Sequence, residues 1–459
     1  MHLVMIGGSD AGISAALRAR ELDPDAEITV MLADAYPNYS ICGIPYYVSG
    51  DVPDWHNLAH RTRADIEALG IRLLLDTQAT GIDVPGHTVA TRWPGGDGPV
   101  AYDKLIIGTG AIPARPPIAG LETLGSADGV HLLHTIGDTH AVMATITERS
   151  VENAVIVGAG YIGLEMAEAL TARGIGVTQV EQLPEVLPTV DSDLGFLVAQ
   201  QLRDHGVDVR TSTAVSTIEK SGRGLVVRGA RTDTNTPFEA TAELVLVVTG
   251  VRPDSELAAA AGVPVTERGA IRVDKYMRTG LPDVFAAGDC VITHHVILDE
   301  TYLPLGTTAH KQGRIAGENA LGGNRPFLGS LGTQAVKIFD LVAARTGVRD
   351  HEAPAEYRPF TVASTADDHK AYYPGAQTVH VRTTGDLITE RLLGVQMIGT
   401  IPTAVHKRID TAAAAIFNGL TVDELNDLDL SYTPPLGSPW DVLQAAAQQW
   451  SKSARSVAV

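Results

Sequence analysis

Hydrophobic positions in this chain come in short runs that end at glycine-rich turns. Leu3-Val4-Met5-Ile6 runs into Gly7-Gly8 and a small-residue segment to Arg20. Ala154-Val155-Ile156-Val157 runs into Gly158-Ala159-Gly160 and a similar segment to Gly174. Each pattern predicts a strand, a tight turn and a helix, and each is followed by a second apolar strand, at 28–32 and 177–180. One βαβ unit is thus present twice, which is the pattern of a dinucleotide fold. Further strands end in glycine turns at 104–110, 244–250 and 284–290. From about residue 326 the pattern changes to alternating strands, in GTQAVKIF, QTVHVRT and LLGVQMIGT, with an alanine-rich helix at 411–417. This predicts a third, α+β domain. The closing SKSARSVAV reads as a frayed tail.

Composition narrows the classes. The 459 residues suffice for two or three domains, and 44% hydrophobic with 19% charged residues is a globular balance. A net charge of −19 repels nucleic acid and anionic lipid, so neither is an expected partner and any phosphate has to be held locally. The first residues enter a strand at once, with no signal peptide, and no apolar run approaches the roughly 18 residues of a membrane span. Cys42 and Cys290 are the only cysteines, too few for a disulfide framework or a cysteine metal site. The histidines lack HExxH-type spacing, so no metal is expected, and a reducing cytoplasm fits best.

The turns carry the first chemistry. In the second unit Gly158 permits the tight turn, Gly160 lets backbone approach a pyrophosphate, and Gly163 lets the helix pack on the strand. Glu181 lies 23 residues after Gly158, at the end of the next strand. A carboxylate there accepts hydrogen bonds from ribose hydroxyls and repels a 2′-phosphate, and Gln182 beside it is not basic, so NADH is favoured over NADPH. In the first unit Ser9 stands for the second glycine. Leu32 and Ala33 occupy the expected ribose positions and Asp34 follows, as a ribose ligand or as a solvated loop residue.

In this order and spacing the motifs resemble the pyridine nucleotide-disulfide oxidoreductase superfamily over nearly the whole chain. Thr109-Gly110 and Thr249-Gly250 match its turns after each unit, and Asp289 its flavin-contacting aspartate. The resemblance implies an α/β fold: two Rossmann-like dinucleotide-binding domains, arranged as in glutathione reductase, plus a C-terminal α+β dimerisation domain. Residues 1–112 and 243–325 would form a discontinuous FAD domain, 113–242 an NAD(P)H domain and 326–459 the dimerisation domain. FAD is implied at Gly7, Ser9, Asp10, Ala11, Gly12, Asp34, Asn38, Ser40, Cys42, Ala79, Thr109, Gly110, Asp289, Pro304, Leu305 and Thr308. NADH is implied at Gly158, Gly160, Tyr161, Ile162, Gly163, Glu181 and Gly250.

SICGIPYYVSG at 40–50, AHKQGRIAGENA at 309–320, KRIDTAAAAI at 407–416 and LDLSYTPPLGSPWD at 428–441 are most similar to the single-cysteine branch. That branch holds coenzyme A-disulfide reductases, NADH-dependent persulfide reductases and NADH oxidases. Where other members carry Cys-x4-Cys, this chain has Tyr47, so Cys42 has no resolving partner nearby, and Cys290 reads as structural. Cys42 would cycle between thiolate and a mixed disulfide, persulfide or sulfenic acid. Pro45 suits the first turn of a helix, and a cysteine at a helix N-terminus has a lowered pKa. Related enzymes place a tyrosine of the partner subunit at the cysteine. Tyr432 and one of Tyr372 and Tyr373 hold matching positions, which implies a homodimer with shared sites.

The chain also departs from the family. Peroxidases and water-forming oxidases carry histidine where Asp10 stands. Asp10 would raise a nearby thiol pKa or simply cap the following helix. Glu21 replaces a basic residue expected of coenzyme A-disulfide reductases, and Ile41 replaces an asparagine. Arg18, Arg20 and Lys311 remain to bind substrate phosphates. The 459 residues leave no room for an appended rhodanese domain. The reading is an FAD- and NADH-dependent reductase of a small disulfide or persulfide. Its rivals are an NADH oxidase, a ferredoxin-type electron-transfer reductase and a flavin redox sensor.

Overall fold

Val-, Ile- and Leu-rich strands buried on both faces build two parallel sheets, as expected where helices cover each side. The computed structural model describes residues 1–222 and 224–457. The first sheet runs in the order Val284–Ala286, Lys104–Ile107, His2–Ile6, Glu27–Met31, Ile71–Leu74. Its strands are parallel throughout. The second runs Asp208–Arg210, Gly176–Val180, Asn153–Val157, Leu244–Val247, Val130–His131, again all parallel. The repeat read in the sequence extends to bonding detail. Gly7 N–H donates to Met31 O at 2.9 Å and Gly158 N–H to Val180 O at 2.8 Å.

Val284–Ala286 joins the N-terminal strands in the first sheet. The boundary at 243 needs correction, however. Leu244–Val247 pairs with Ala154–Val157 of the second sheet, so the chain returns to the first domain only after that strand. Its apolar run ending in Thr249-Gly250 looks the same whichever sheet it joins, and only pairing decides.

The third domain is an antiparallel sheet ordered Gln334–Ile338, Leu341–Gly347, Leu392–Thr400, Thr378–Asp386, Pro359–Asp367. The helices Val405–Phe417 and Val442–Val457 accompany it. The second of these overturns the frayed-tail expectation for residues 451–457, while 458 and 459 lie outside the described residues. Trp450 and Ala454, one turn apart, bury the same face, and Trp450 Nε1–H donates to Phe360 O at 2.8 Å. No helix among the described residues is long and apolar enough to cross a membrane.

Two contacts matter for the site. The helices Asp10–Leu22 and Gly306–Ala320 touch backbone to backbone. A Cβ at Gly313 would lie 2.2 Å from Ala11 O, and one at Gly317 2.3 Å from Ala15 O. The third domain docks on the second through Arg345, which donates to Thr189 O at 2.7 Å, and Arg349, which reaches Pro188 O and Val190 O at 3.0 Å. Glu352 holds both guanidinium groups.

Candidate active site

Both glycine turns have the form a nucleotide requires. Gly7 and Gly158 share φ = +107°, a conformation that favours glycine. A Cβ at Gly12 would lie 1.8 Å from Gly7 O, and one at Gly163 2.1 Å from Gly158 O, so these glycines let helix pack on turn. At Gly160 a Cβ would meet nothing within 4 Å, which leaves backbone open to approach. The helices Asp10–Leu22 and Tyr161–Ala172 start at Ser9 and Gly160 without a side-chain cap, so their first N–H groups suit an anion. Tyr161 and Ile162 open the second of these. Glu181 is buried, and its two oxygens accept Ala159 N–H at 2.8 Å and Leu183 N–H at 2.9 Å. Each oxygen keeps a lone pair for a ribose hydroxyl.

Around the first turn, Asp34 accepts Tyr36 N–H at 2.9 Å. Buried Asn38 adopts φ = 61° and ties the turn to the next loop, its N–H donating to Gly8 O and its carbonyl accepting His60 N–H. Ser40 N–H donates to Leu58 O, Thr109 Oγ1 to Asp254 O, and Thr308 shares a hydrogen bond with Ser330. Ala79 lies in the strand Gln78–Asp83. Pro304 and Leu305 lead into the helix Gly306–Ala320, and Gly110 and Gly250 are left-handed turns with open space where a Cβ would project. One carboxyl stands apart: Asp289 Oδ1 is buried with no hydrogen-bond partner in the protein. The Tyr302 hydroxyl beside it is in the same state. Orphaned buried polar atoms next to an open glycine turn fit a polar ring system such as a flavin.

Cys42 sits in the 3-10 turn Ile41–Gly43, immediately before the helix Ile44–Ser49, with Pro45 in the first turn as expected. The thiol is free and exposed, whereas Cys290 is free and fully buried against Ile107 O and Ala287 O. Burial pushes Cys290 up to about 11, consistent with a structural residue. The expected lowering at Cys42 does not hold. Partial burial, then Glu165, Asp10 and Asp289, push the thiol up. A helix of six residues has little dipole to set against three carboxyls.

Those carboxyls are themselves shifted. Burial raises Glu165 to about 7, against a hydrogen bond donated by Tyr46 at 3.4 Å. Burial and Asp10 raise Asp289 to about 7. Tyr161 is pushed to about 12 by burial and by Cys42, Asp289 and Glu165. Two of the carboxyls that act on Cys42 thus exchange protons near neutral pH.

The sequence missed Glu165, Tyr46 and Tyr302. Glu165 was within reach, since it lies one helical turn after Tyr161 and shares its face. The substrate cations need correction. Arg18 is held by Glu318 at 2.5 Å and Glu21 at 2.8 Å. Arg20 donates to the carbonyls of Asp23, Pro24 and Gly70. Both serve the fold, and Lys311 alone of the three stays exposed. Asp10 caps nothing, because Ser9 is the N-cap and the Asp10 carboxyl turns to His310. Tyr432, Tyr372 and Tyr373 form one exposed patch on the third domain, where the hydrogen bond from Tyr372 pushes Tyr432 up.

The profile of the pyridine nucleotide-disulphide oxidoreductase family covers residues 1–313, and that of its dimerisation domain 333–442. The chain belongs to the pyridine nucleotide-disulphide oxidoreductase family. It is 36% identical over 450 residues to the NAD(P)H coenzyme A polysulfide/persulfide reductase of Pyrococcus horikoshii, with 97% of each chain covered. It is 31% identical over 457 residues to the NADH oxidase of Methanocaldococcus jannaschii, with 98% of each covered. The solved NAD-dependent persulfide reductase from A. fulgidus superposes with a TM-score of 0.93 at 38% identity, over 100% of this chain and 84% of that one. The chain is an oxidoreductase with the glutathione-reductase-like fold. Its family uses FAD and NAD(P)H, and its C-terminal part is the family's dimerisation domain.

Proposed function

We propose that this oxidoreductase uses NADH to reduce a low-molecular-weight persulfide or disulfide through Cys42. The observation that carries the reading is Cys42 itself: a free, exposed thiol without a second cysteine to close a disulfide, set among Glu165, Asp289 and Tyr161. The Cys42 thiolate attacks one sulfur of the acceptor, the S–S bond breaks, and the leaving thiolate takes a proton. Two electrons from NADH, which bound FAD would relay, would then cleave the bond between Cys42 and that sulfur and return both sulfurs as thiolates. Glu165 and Tyr46, joined by a hydrogen bond, hold a proton on the side of the thiol. Tyr432, Tyr372 and Tyr373 donate hydrogen bonds to the same cleft from the partner subunit of a homodimer. Glu181 supports NADH over NADPH, because a second negative charge beside its buried carboxylate is unfavourable. With Arg18 and Arg20 engaged elsewhere, an acceptor without clustered phosphates is preferred. Two free cysteines support a reducing, cytoplasmic setting.

The test is an anaerobic acceptor panel: coenzyme A disulfide, a small alkyl persulfide and polysulfide, each with NADH and NADPH. The persulfide is expected to give the largest kcat/KM, with NADH ahead of NADPH. NADH consumption that requires oxygen and ignores every sulfur acceptor would replace this reading with the oxidase one.

A further inference from the structure

Asp10, His60 and His310 stand together at the start of the helix Asp10–Leu22, and their ligand atoms all lie within 4.8 Å of one another. The three come from separate parts of the chain. Asp10 and His310 ride on the two helices locked by the Gly313 and Gly317 contacts. A Cβ at Gly306 would already meet Asp10 Oδ2 at 2.9 Å, so the carboxyl has a shaped seat. His60 is held by its backbone N–H to Asn38 O at 3.0 Å.

The distances separate a hydrogen-bonded chain from a coordinating one. His310 Nε2 and Asp10 Oδ1 are 3.4 Å apart. That is long for a charge-assisted N–H···O bond, which lies near 2.7–2.9 Å. It equals the spacing of about 3.4 Å between two ligands on a tetrahedral zinc with bonds of about 2.1 Å. His310 Nδ1 pairs with Ser14 Oγ at 2.8 Å. With the Nδ1 proton given to that hydroxyl, Nε2 presents its lone pair toward Asp10, as in metal sites where a neighbouring group orients the imidazole. The His60 and His310 rings meet edge to face, with centroids 5.9 Å apart and planes at 75°. This lets both send nitrogens to one point.

We propose that Asp10, His60 and His310 form a binding site for a divalent transition-metal ion of the zinc class. Two imidazoles and one carboxylate satisfy three positions of a tetrahedral ion and leave the fourth open. The surroundings favour a cation, because the chain carries a net charge of −19. Asp10 also acts electrostatically on Cys42, so an ion held there would influence the reactive thiol. The site stands apart from the reading of Cys42 as the electron outlet, and either holds without the other.

The experiment is zinc binding by equilibrium dialysis and calorimetry on flavin-loaded protein in a Cys42→Ser background, which removes the reactive thiol as a competing ligand. One zinc per chain is expected. His60→Ala and His310→Ala each weaken it at least about tenfold. His56→Ala, at the exposed His56–Asp54 pair, leaves it unchanged. Flavin content and melting temperature confirm that each variant is folded. Copper(II) in place of zinc is expected to show nitrogen hyperfine structure from two imidazoles, falling to one in either of the first two variants. Zinc bound equally in the parent and both histidine variants, zinc bound only when Cys42 is present, or no zinc retained at micromolar free ion would each overturn the site.

Discussion

At Cys42 burial and then the surrounding carboxylates outweigh a weak helix-start effect. After burial, the largest charge influence is Glu165, whose carboxyl is raised to about 7. Above that pH Glu165 is charged and opposes the thiolate; below it Glu165 is neutral and behaves like an amide. Glu165→Gln is therefore expected to lower the Cys42 pKa, read as the pH dependence of iodoacetamide alkylation. The variant should react faster than the native protein at pH 8 and at the same rate at pH 6. A uniform change at all pH values would mean that Glu165 acts by packing and not by charge.

Among elements, the helices Asp10–Leu22 and Gly306–Ala320 meet backbone to backbone and place Asp10 beside His310. Their contact has no side-chain cushion, so a single methyl at Gly313 forces backbone apart. Gly313→Ala is expected to destabilise the protein by about 1–3 kcal/mol and to loosen flavin, measured as melting temperature and flavin retained after gel filtration. This level also shows what the sequence could reveal. The two glycine turns were legible because strand, turn and helix are consecutive, so periodicity and spacing carry them. The Cys42 environment was not, because Glu165 and Asp289 reach it from distant segments. Arg18 and Arg20 looked like free cations for the same reason: their partners, Glu318 and Gly70 O, are far away in the chain. The third-domain strands were read from alternation alone. The helix ending at Val457 was missed because its last two turns, rich in Ser, Lys and Arg, add only Ala454 to the apolar stripe that ends at Trp450.

Across the whole molecule, the third domain locks onto the second through Arg345, Arg349 and Glu352. Burial alone would raise Glu352, but hydrogen bonds from both arginines outweigh it and hold the carboxyl at about 2. A folded-state pKa below the ordinary value means stability that is present above about pH 4.5 and lost as pH falls toward 2. Glu352→Gln should therefore cost about 2–3 kcal/mol at pH 7, and the gap should close on acidification. Thermal melts from pH 7 to pH 3 check this. A gap that stays constant with pH would remove the charge explanation.

The measurement that bears most directly on Cys42 as the electron outlet is anaerobic NADH oxidation with a small persulfide, comparing the native chain with Cys42→Ser. Flavin bleaching by NADH should survive in the variant, while acceptor-dependent turnover should fall by at least about 1000-fold. Equal turnover in both proteins would show that electrons leave without passing through Cys42.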